Sequence, residues 1–515
     1  MSDAWPPSAS GKADGGLRRQ VARGLTWTIA NTWGEQMLNL LVFVVLARKL
    51  TDVDLGLVGL AAVFVAFAQL FVDQGTGDAL IARRDLTRTH IDTAFWTAMA
   101  TGTALTAAGM LLAGPIALVV RTPELEPILR VLSLSFILTA LSSIQIALLR
   151  RELAFRSLAL RAIAAAIGGG LIGIGLAFMN AGAWALVGQQ LGAAAVSVIA
   201  LWTVSPWRPR LRVSRTHFRE LFGFGINVVG SDVLSFVSRY SDNFLIGVVL
   251  GPGPLGLYSV AYRILNASQV VLINVSRRIA FPAFARLRGD RDRMRTAYFR
   301  LSRVAGLAIL PGYIGLALVA PELTVVVFGA KWAASGVVAA MLFFIGPVLT
   351  IQAFSSSLLY AAGHPEVVFR FRLATAITNV IGFIIAVPFG IVAVAAAFVV
   401  RGFLLLPLNL YWMRKYAGIA AGDYLRQLTS LAIATLAMSA TVLLVKLSLA
   451  THVGNLWLLI VETIVGAATV LVVLWMMDRG LLREVGEVAR HAIPGADRAL
   501  RRFRAGSAAD EGAAD

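Results

Sequence analysis

From near its start to Met477 the chain is a succession of apolar segments about twenty residues long, separated by polar loops. A helix rises ~1.5 Å per residue, so a segment of that length matches the ~30 Å hydrocarbon layer of a bilayer. In that solvent every backbone N–H and C=O needs an internal partner, which leaves helices or a closed barrel. Barrel strands would read as alternating segments of about ten residues, and these segments do not alternate. The expected fold is therefore an all-α polytopic membrane protein. Composition agrees: 58% of the residues are hydrophobic and only 14% charged, too few to cover a water-soluble surface. Fourteen spans are expected, near 25–47, 56–72, 93–116, 128–149, 157–178, 183–204, 221–250, 256–276, 301–320, 336–358, 372–388, 391–412, 427–448 and 455–477. The first and seventh are the most polar.

Charge sets the orientation. The formal net charge is +18, yet the arginines do not gather on one soluble face as a nucleic-acid-binding domain requires. They occupy alternate loops: Arg18, Arg19 and Arg23; Arg83, Arg84 and Arg88; Arg150, Arg151 and Arg156; Arg208 to Arg219; and so on to an Arg-rich tail. The loops between them, such as 180–183, 251–255 and 388–391, are short and nearly uncharged. The positive-inside rule then places both termini in the cytoplasm, and an even number of spans agrees. The basic loops are matched to anionic headgroups, with no nucleic acid implied. Residues 1–16, polar and rich in Pro and Gly, are unlike a cleavable signal peptide and are expected to be disordered. Within 478–515, Leu481, Leu482, Val485 and Val488 recur at helical spacing, which predicts a cytoplasmic interfacial helix followed by a disordered tail.

An internal repeat organises the rest. At an offset of 200 residues, LARKLTDVDLGLVGLA (Leu46–Ala61) lies over IGVVLGPGPLGLYSVA (Ile246–Ala261), and Gln69 lies over Gln269. A polar stripe repeats with it. Thr28, Asn31, Glu35 and Asn39 share a face of the first span, and the last three lie over Ser231, Ser235 and Arg239. Six spans separate the copies, so both run in the same direction and the repeat axis stands normal to the membrane. This divides the chain into an N-terminal bundle with its cytoplasmic linker (17–219), a second bundle (220–415) and two further helices (416–477). Two pseudo-symmetric six-helix bundles around a central cavity follow.

The seventh span contains NVVGSDVLSFVSRYSDN (Asn227–Asn243), in which Asn227, Ser231, Ser235, Arg239 and Asp242 share one helical face with Asp232 at its edge. An ionised group at the bilayer centre costs at least ~2.5–3.5 kcal/mol, so it must meet a partner or a water-filled cavity. Two roles fit: an Asp–Arg–Asp bridge that locks helices together, or the lining of a cavity. Arg263, on a stripe with Tyr262, Asn266 and Gln269 in the eighth span, poses the same choice, as does Arg401 in the twelfth. As cavity residues, Arg239, Arg263, Arg401, Asn266, Gln269 and Asn39 are candidates for substrate binding. Guanidinium groups stay charged and offer forked donors, which suits a multivalent phosphate. Glu35, Asp232 and Asp242 are candidates for coupling to a proton or cation, or else partners of the arginines. Glu462, outside both bundles, is expected to be structural. Lys331 and Trp332 in FGAKW are expected to anchor a helix end at the external interface. Pro115, Pro311, Pro347 and Pro388 are candidate kinks.

Signatures of catalysis are missing. There is no GxxxxGK[ST] phosphate loop, and no soluble domain interrupts the spans. The five histidines fall on separate loops without a ligand-like pair, and there is no cysteine, so neither a metal nor a cofactor is expected. Transport through the helices is the class that remains.

Several stretches resemble one family. LARKLTDVDLGLVGLA followed by FVDQGTGDALIARRDLTRTHIDTAFW (Phe71–Trp96), with LLRRELAFR (Leu148–Arg156), FPAFARLRGD (Phe281–Asp290) and FGAKW (Phe328–Trp332), is similar to the Wzx-type polysaccharide flippases, in the colanic-acid-exporter-like branch. One departure is Asp52-Val53-Asp54, where the family commonly has a Pro; the second copy has Pro252 and Pro254. The resemblance covers about 18–420 and implies the multidrug/oligosaccharidyl-lipid/polysaccharide exporter superfamily, with alternating access around a central cavity. It implies translocation of undecaprenyl-pyrophosphate-linked oligosaccharide repeat units across the bacterial inner membrane, for exopolysaccharide or lipopolysaccharide synthesis. Membrane lipids and polysaccharide polymerase, chain-length or export components are the implied partners. No individual site residue carries over. A drug/cation antiporter of the same superfamily is the alternative, but its cavity would be acidic, whereas this one mixes Arg with Glu and Asp. A non-transporting scaffold in a polysaccharide-synthesis complex is the third reading.

Overall fold

The computed structural model describes residues 34–73, 76–83, 85–274, 284–288 and 290–492. Thr28, Asn31, residues 1–16 and the tail beyond 492 lie outside the described residues. Among those described, every element is helical. In chain order they are α1 (34–49), α2 (Asp52–Asp73), α3 (Thr76–Ala82), α4 (Arg88–Val119), α5 (Leu125–Leu132), α6 (Leu134–Arg151), α7 (Phe155–Phe178), α8 (Trp184–Val204), α9 (Arg215–Val249) and α10 (Pro252–Gln269). A π-helical turn, Val270–Asn274, continues α10. Then follow α11 (Arg291–Phe328), α12 (Ala333–Phe343), α13 (Gly346–Gln352), α14 (Ser355–Ala361), α15 (Pro365–Ala386) and α16 (Ile391–Ala417). The last four are α17 (Ala421–Gln427), α18 (Thr429–Leu449), α19 (Asn455–Met477) and α20 (Arg479–Ala492).

Among the described residues, eleven helical stretches are long and apolar enough to cross a membrane. The described parts of the fourteen expected segments lie on helices or broken helices; residues 25–33 of the first and 275–276 of the eighth lie outside the described residues. The three beyond those eleven fall on α1, α9 and α10; the polar stripe read in the sequence lowers the hydropathy of α9. The fourth segment is broken at Ser133, between α5 and α6, where the Ser133 carbonyl accepts from Thr106 Oγ1 at 2.9 Å. The tenth is broken into α12, α13 and α14. Pro115 and Pro311 lie inside helices, whereas Pro347 opens α13 and Pro388 sits in a short 3₁₀ turn.

The described residues group into two compact units. The first takes its residues from 1–267, 324–342 and 370–401. Its centre is the place where α2 and α10 begin. Gly56 packs against the backbone of Pro252, and Gly256 packs against the backbone of Asp52, so each glycine leaves room for the start of the other helix. Since Asp52 and Pro252 are themselves 200 apart, each copy of the repeat receives from the other the contact that it gives. Small residues are what allow two membrane helices to approach this closely. Leu60, Ala61, Leu255 and Ala261 are buried around the crossing.

Beside it, two chain ends cap each other. Helix C-termini leave carbonyls without intrahelical partners. Lys331 Nζ donates to the Arg48 and Leu50 carbonyls at 3.0 and 2.6 Å, and Trp332 Nε1 donates to Ala47 O at 2.9 Å. Arg48 returns the favour in kind, donating to Val326 O and Val327 O at 2.8 and 2.9 Å. The interfacial role expected of Trp332 is therefore corrected: it is buried, 1% exposed, because its indole N–H is needed at a helix end.

The second unit takes its residues from 268–323, 343–369 and 402–515. α18 and α19 pair closely, with Gly466 against Val442 and Met438. α20 opens just after Asp478, with Leu481 buried and Arg479 and Arg483 exposed.

Candidate functional site

A cavity of about 660 Å³ lies in the first unit, walled by α2, α3, α6, α7, α8 and α9. α9 supplies one wall with Asp232, Ser235, Phe236, Arg239 and Tyr240; of these, Ser235 and Arg239 belong to the polar face read from the sequence and Asp232 to its edge, while Asp242 of that face is not in the lining. The lining also includes Arg150 at the end of α6, which the sequence places in a basic loop, and Arg161 in the second turn of α7. The stretch RRELAFRSLALR that holds them alternates Arg with apolar residues, and this gave no signal that two of its cations point inward. Ser142, Ser143 and Ser197 add hydroxyls.

The three arginines are held differently. Arg161 Nη1 donates to Ser197 Oγ at 3.0 Å, while its Nε is buried without a partner among the described residues. The charges acting on it are Glu35 and Arg150. Arg239 forms no ion pair among the described residues and is exposed to the cavity. Its sequence neighbour Asp242 does not bridge to it. That carboxylate is buried and accepts from Tyr258 Oη at 2.9 Å and from the Asn243 N–H at 2.7 Å. Tyr262 stacks on Tyr258, and the charges acting on Tyr262 are Asp242, Arg239 and Arg401. Arg239, Arg401 and Asp242 thus all act on Tyr262, although of the three only Arg239 lines the cavity.

The remaining candidates lie elsewhere. Arg263 sits over the Phe43 ring, 4.2 Å from its centroid, and Arg401 over Phe398 at 4.9 Å with its Nε buried and unpartnered. Asn39 and Asn266 belong to the first unit but not to the cavity lining, and Gln269 belongs to the second unit. Neighbouring Arg151 closes the foot of α3, donating from Nη1 to the carbonyls of Leu80 and Arg83 at 2.7 and 2.5 Å.

Two histidines that are far apart in sequence meet. The His90 and His217 ring centroids are 3.9 Å apart, and His90 Nε2 lies 3.4 Å from Glu220 Oε2. Glu220 also pairs with Arg83 at 2.7 Å, and hydrogen bonds from Arg83 and then His90 hold its carboxyl below the usual range. Among the described residues no group of three or more His, Asp or Glu side chains is arranged to hold a metal.

The arrangement can bind an anion with several oxygens. Three guanidinium groups and one carboxylate line the cavity, and the hydroxyls and Gln69 offer the mixed donors and acceptors that a sugar needs.

Comparison with known proteins follows the same line. Residues 45–337 match the family described as "Polysaccharide biosynthesis protein". The chain is 26% identical to the succinoglycan biosynthesis transport protein ExoT of Rhizobium meliloti (strain 1021), over 92% of this chain and 97% of that protein. It is 25% identical to the lipopolysaccharide biosynthesis protein WzxC of Escherichia coli (strain K12), over 69% of this chain and 73% of that one. Among solved structures it resembles the lipid II flippase MurJ in an inward closed conformation, with a TM-score of 0.73, 13% identity, and coverage of 89% of this chain and 100% of that one. An inward-facing multidrug resistance MATE family transporter of the MOP superfamily gives a TM-score of 0.57 at 18% identity, over 74% and 94% of the two chains. At these identities the two structures show the fold alone.

Proposed function

We propose a function from one premise: the chain belongs to the polysaccharide biosynthesis protein family. It is a multi-pass protein of the bacterial inner membrane that flips a lipid-linked oligosaccharide, carried on undecaprenyl pyrophosphate, for the assembly of an exopolysaccharide or lipopolysaccharide. One observation carries this reading: a membrane-embedded cavity in which Arg150, Arg161 and Arg239 outnumber the single carboxylate, Asp232.

The chemistry follows from the residues. A pyrophosphate carries charge that the hydrocarbon layer rejects, and the arginines replace its water with charge-assisted hydrogen bonds. Arg150 and Arg161 lie at the ends that the basic loops assign to the cytoplasm, so they meet the headgroup first. Arg239 lies deeper: it is eighteen residues along α9 from Leu221, about 27 Å of helix axis at ~1.5 Å per residue. Arg263, Arg401, Asn266, Gln269 and Asn39 are assigned to later positions of the substrate in an alternating-access cycle. Glu35, facing Arg161, and Asp232 and Asp242 are assigned to release or ion coupling, because a carboxylate near a guanidinium competes with a bound phosphate.

The names of the relatives support the reading, since ExoT is a succinoglycan biosynthesis transport protein and WzxC a lipopolysaccharide biosynthesis protein. A drug antiporter is less supported, for cationic drugs need an acidic cavity. The test is a lipid extract from a strain lacking the gene. Undecaprenyl-linked repeat units that accumulate while surface or secreted polysaccharide is lost place the protein at flipping. Normal polysaccharide with new sensitivity to cationic drugs contradicts it.

A further inference from the structure

We infer that Glu462, Lys446 and Glu322, on three helices of the second unit, form a proton-binding site remote from the arginine cavity. Glu462 is fully buried (0% exposed), and neither of its carboxyl oxygens has a hydrogen-bond partner among the described residues. The charges that act on it are Glu322, from α11, and Lys446, from α18. Lys446 Nζ pairs with Glu322 at 2.8 Å to Oε1 and 3.0 Å to Oε2, and donates to Leu318 O at 2.9 Å. The other charges at α19, Asp478 with Arg303 and Arg479, lie at its opposite end. The polar contact further along the α18–α19 seam, Thr441 to Thr469 at 3.1 Å, does not titrate.

These contacts determine what the site can hold. A buried carboxylate with no donor is far more costly than a buried carboxylic acid. Glu462 therefore sits as the neutral acid while Lys446 is committed to Glu322, and the trio is electrically neutral. An ammonium has three N–H donors. Two are engaged by Glu322 and Leu318, so one remains for the Glu462 carboxylate when the proton leaves. Release of the proton to water turns Lys446 from one carboxylate towards two, and binding returns it. A sodium ion is disfavoured, because Lys446 already supplies a positive charge paired with Glu322.

Position adds a direction. Glu462 is the eighth residue of α19, about 11 Å along the axis from Asn455 at ~1.5 Å per residue. The basic loops put that end of α19, and the Lys446 end of α18, outside the cytoplasm. The site then lies nearer the side from which protons enter the cell. Coupling of this proton to lipid movement rests on the flippase reading; the proton site itself does not.

The experiment uses the purified full-length protein in liposomes, with two readouts. Difference infrared spectroscopy between acid and alkaline buffer should show a protonated-carboxyl C=O band that Glu462→Gln removes and Glu35→Gln leaves. Translocation of a fluorescent undecaprenyl-pyrophosphate-linked sugar, with the α19 N-terminal side made acidic, should run several-fold faster in the unmodified protein than without the gradient. In Glu462→Gln it should run at the same rate with and without the gradient, while thermal unfolding stays unchanged. A band that survives in Glu462→Gln overturns the site, and so does a gradient response that survives there. Acceleration by a sodium gradient in place of the proton gradient also overturns it. If the unmodified protein moves no lipid under any gradient, the flippase reading fails and the infrared band alone decides the proton site.

Discussion

Gly56 and Gly256 stand 200 residues apart and exchange neighbours: Gly56 rests on the backbone of Pro252, and Gly256 rests on that of Asp52. Ser259 Oγ lies 3.3 Å from where a Cβ of Gly59 would be, so a third pair of equivalent positions meets in the same place. Contacts of this reciprocal kind are what two copies of one unit make across a two-fold axis.

A methyl group added at Gly56 or Gly256 would overlap a backbone carbonyl that cannot swing aside. Gly56→Ala and Gly256→Ala should each destabilise by about 1–3 kcal/mol or more, the cost of overpacking. Gly175→Ala is the contrast. Nothing lies within 4 Å of its added carbon, and the change should be neutral or stabilise by up to about 1 kcal/mol. Thermal unfolding of the detergent-solubilised variants separates the two cases.

The mutual caps make a second prediction. Trp332→Phe keeps the buried ring but removes the donor to Ala47 O, and should cost about 1–2 kcal/mol. Trp332→Ala also empties the pocket and should cost about 3–5 kcal/mol. An unchanged stability in Trp332→Phe, measured by the same unfolding assay, would show that the indole N–H contributes nothing.

Acid should release α20. Asp478 lies just beyond α19, where burial pushes its carboxyl up. Arg303 at 2.5 Å, the Leu481 N–H at 3.1 Å and Ser430 at 3.0 Å outweigh this and hold it below its ordinary 3.8. A carboxyl depressed on folding contributes stability that is fully present above its unfolded value and lost as pH falls through the folded one. The protein should therefore lose stability below about pH 4 by an increment that Asp478→Asn lacks. If both proteins lose stability in parallel down to pH 2, the Arg303 contact is not the cause.

Much of the fold was legible because membrane solvent restricts the choices. Apolar length and the need to satisfy the backbone gave the helices, and the offset of 200 residues aligned Gly56 with Gly256 without showing that each would meet the start of the other's helix. Periodicity put Ser235 and Arg239 on one face of α9, and both line the cavity, because residues three or four positions apart share a helix face. Arg150 and Arg161 stayed hidden for a physical reason. At a membrane boundary an arginine that snorkels to headgroups and one that turns into a cavity have the same sequence context. The meeting of His90 with His217 was equally invisible, being a contact across 127 residues that no local spacing encodes. The loss of any bridge between Arg239 and Asp242 follows from Tyr258, which arrives from α10 and takes the carboxylate.

The most direct test of the cavity is translocation by purified protein in liposomes, comparing the unmodified chain with Arg161→Ala, Arg239→Ala and the double variant. Each charge-assisted contact removed should weaken headgroup binding by about 1.5–3 kcal/mol, or roughly 10- to 150-fold. The account predicts that transport of an undecaprenyl-pyrophosphate-linked sugar falls at least tenfold in either single variant and to background in the double, with unfolding temperatures unchanged. Full transport by the double variant would contradict it and leave the arginines as packing groups.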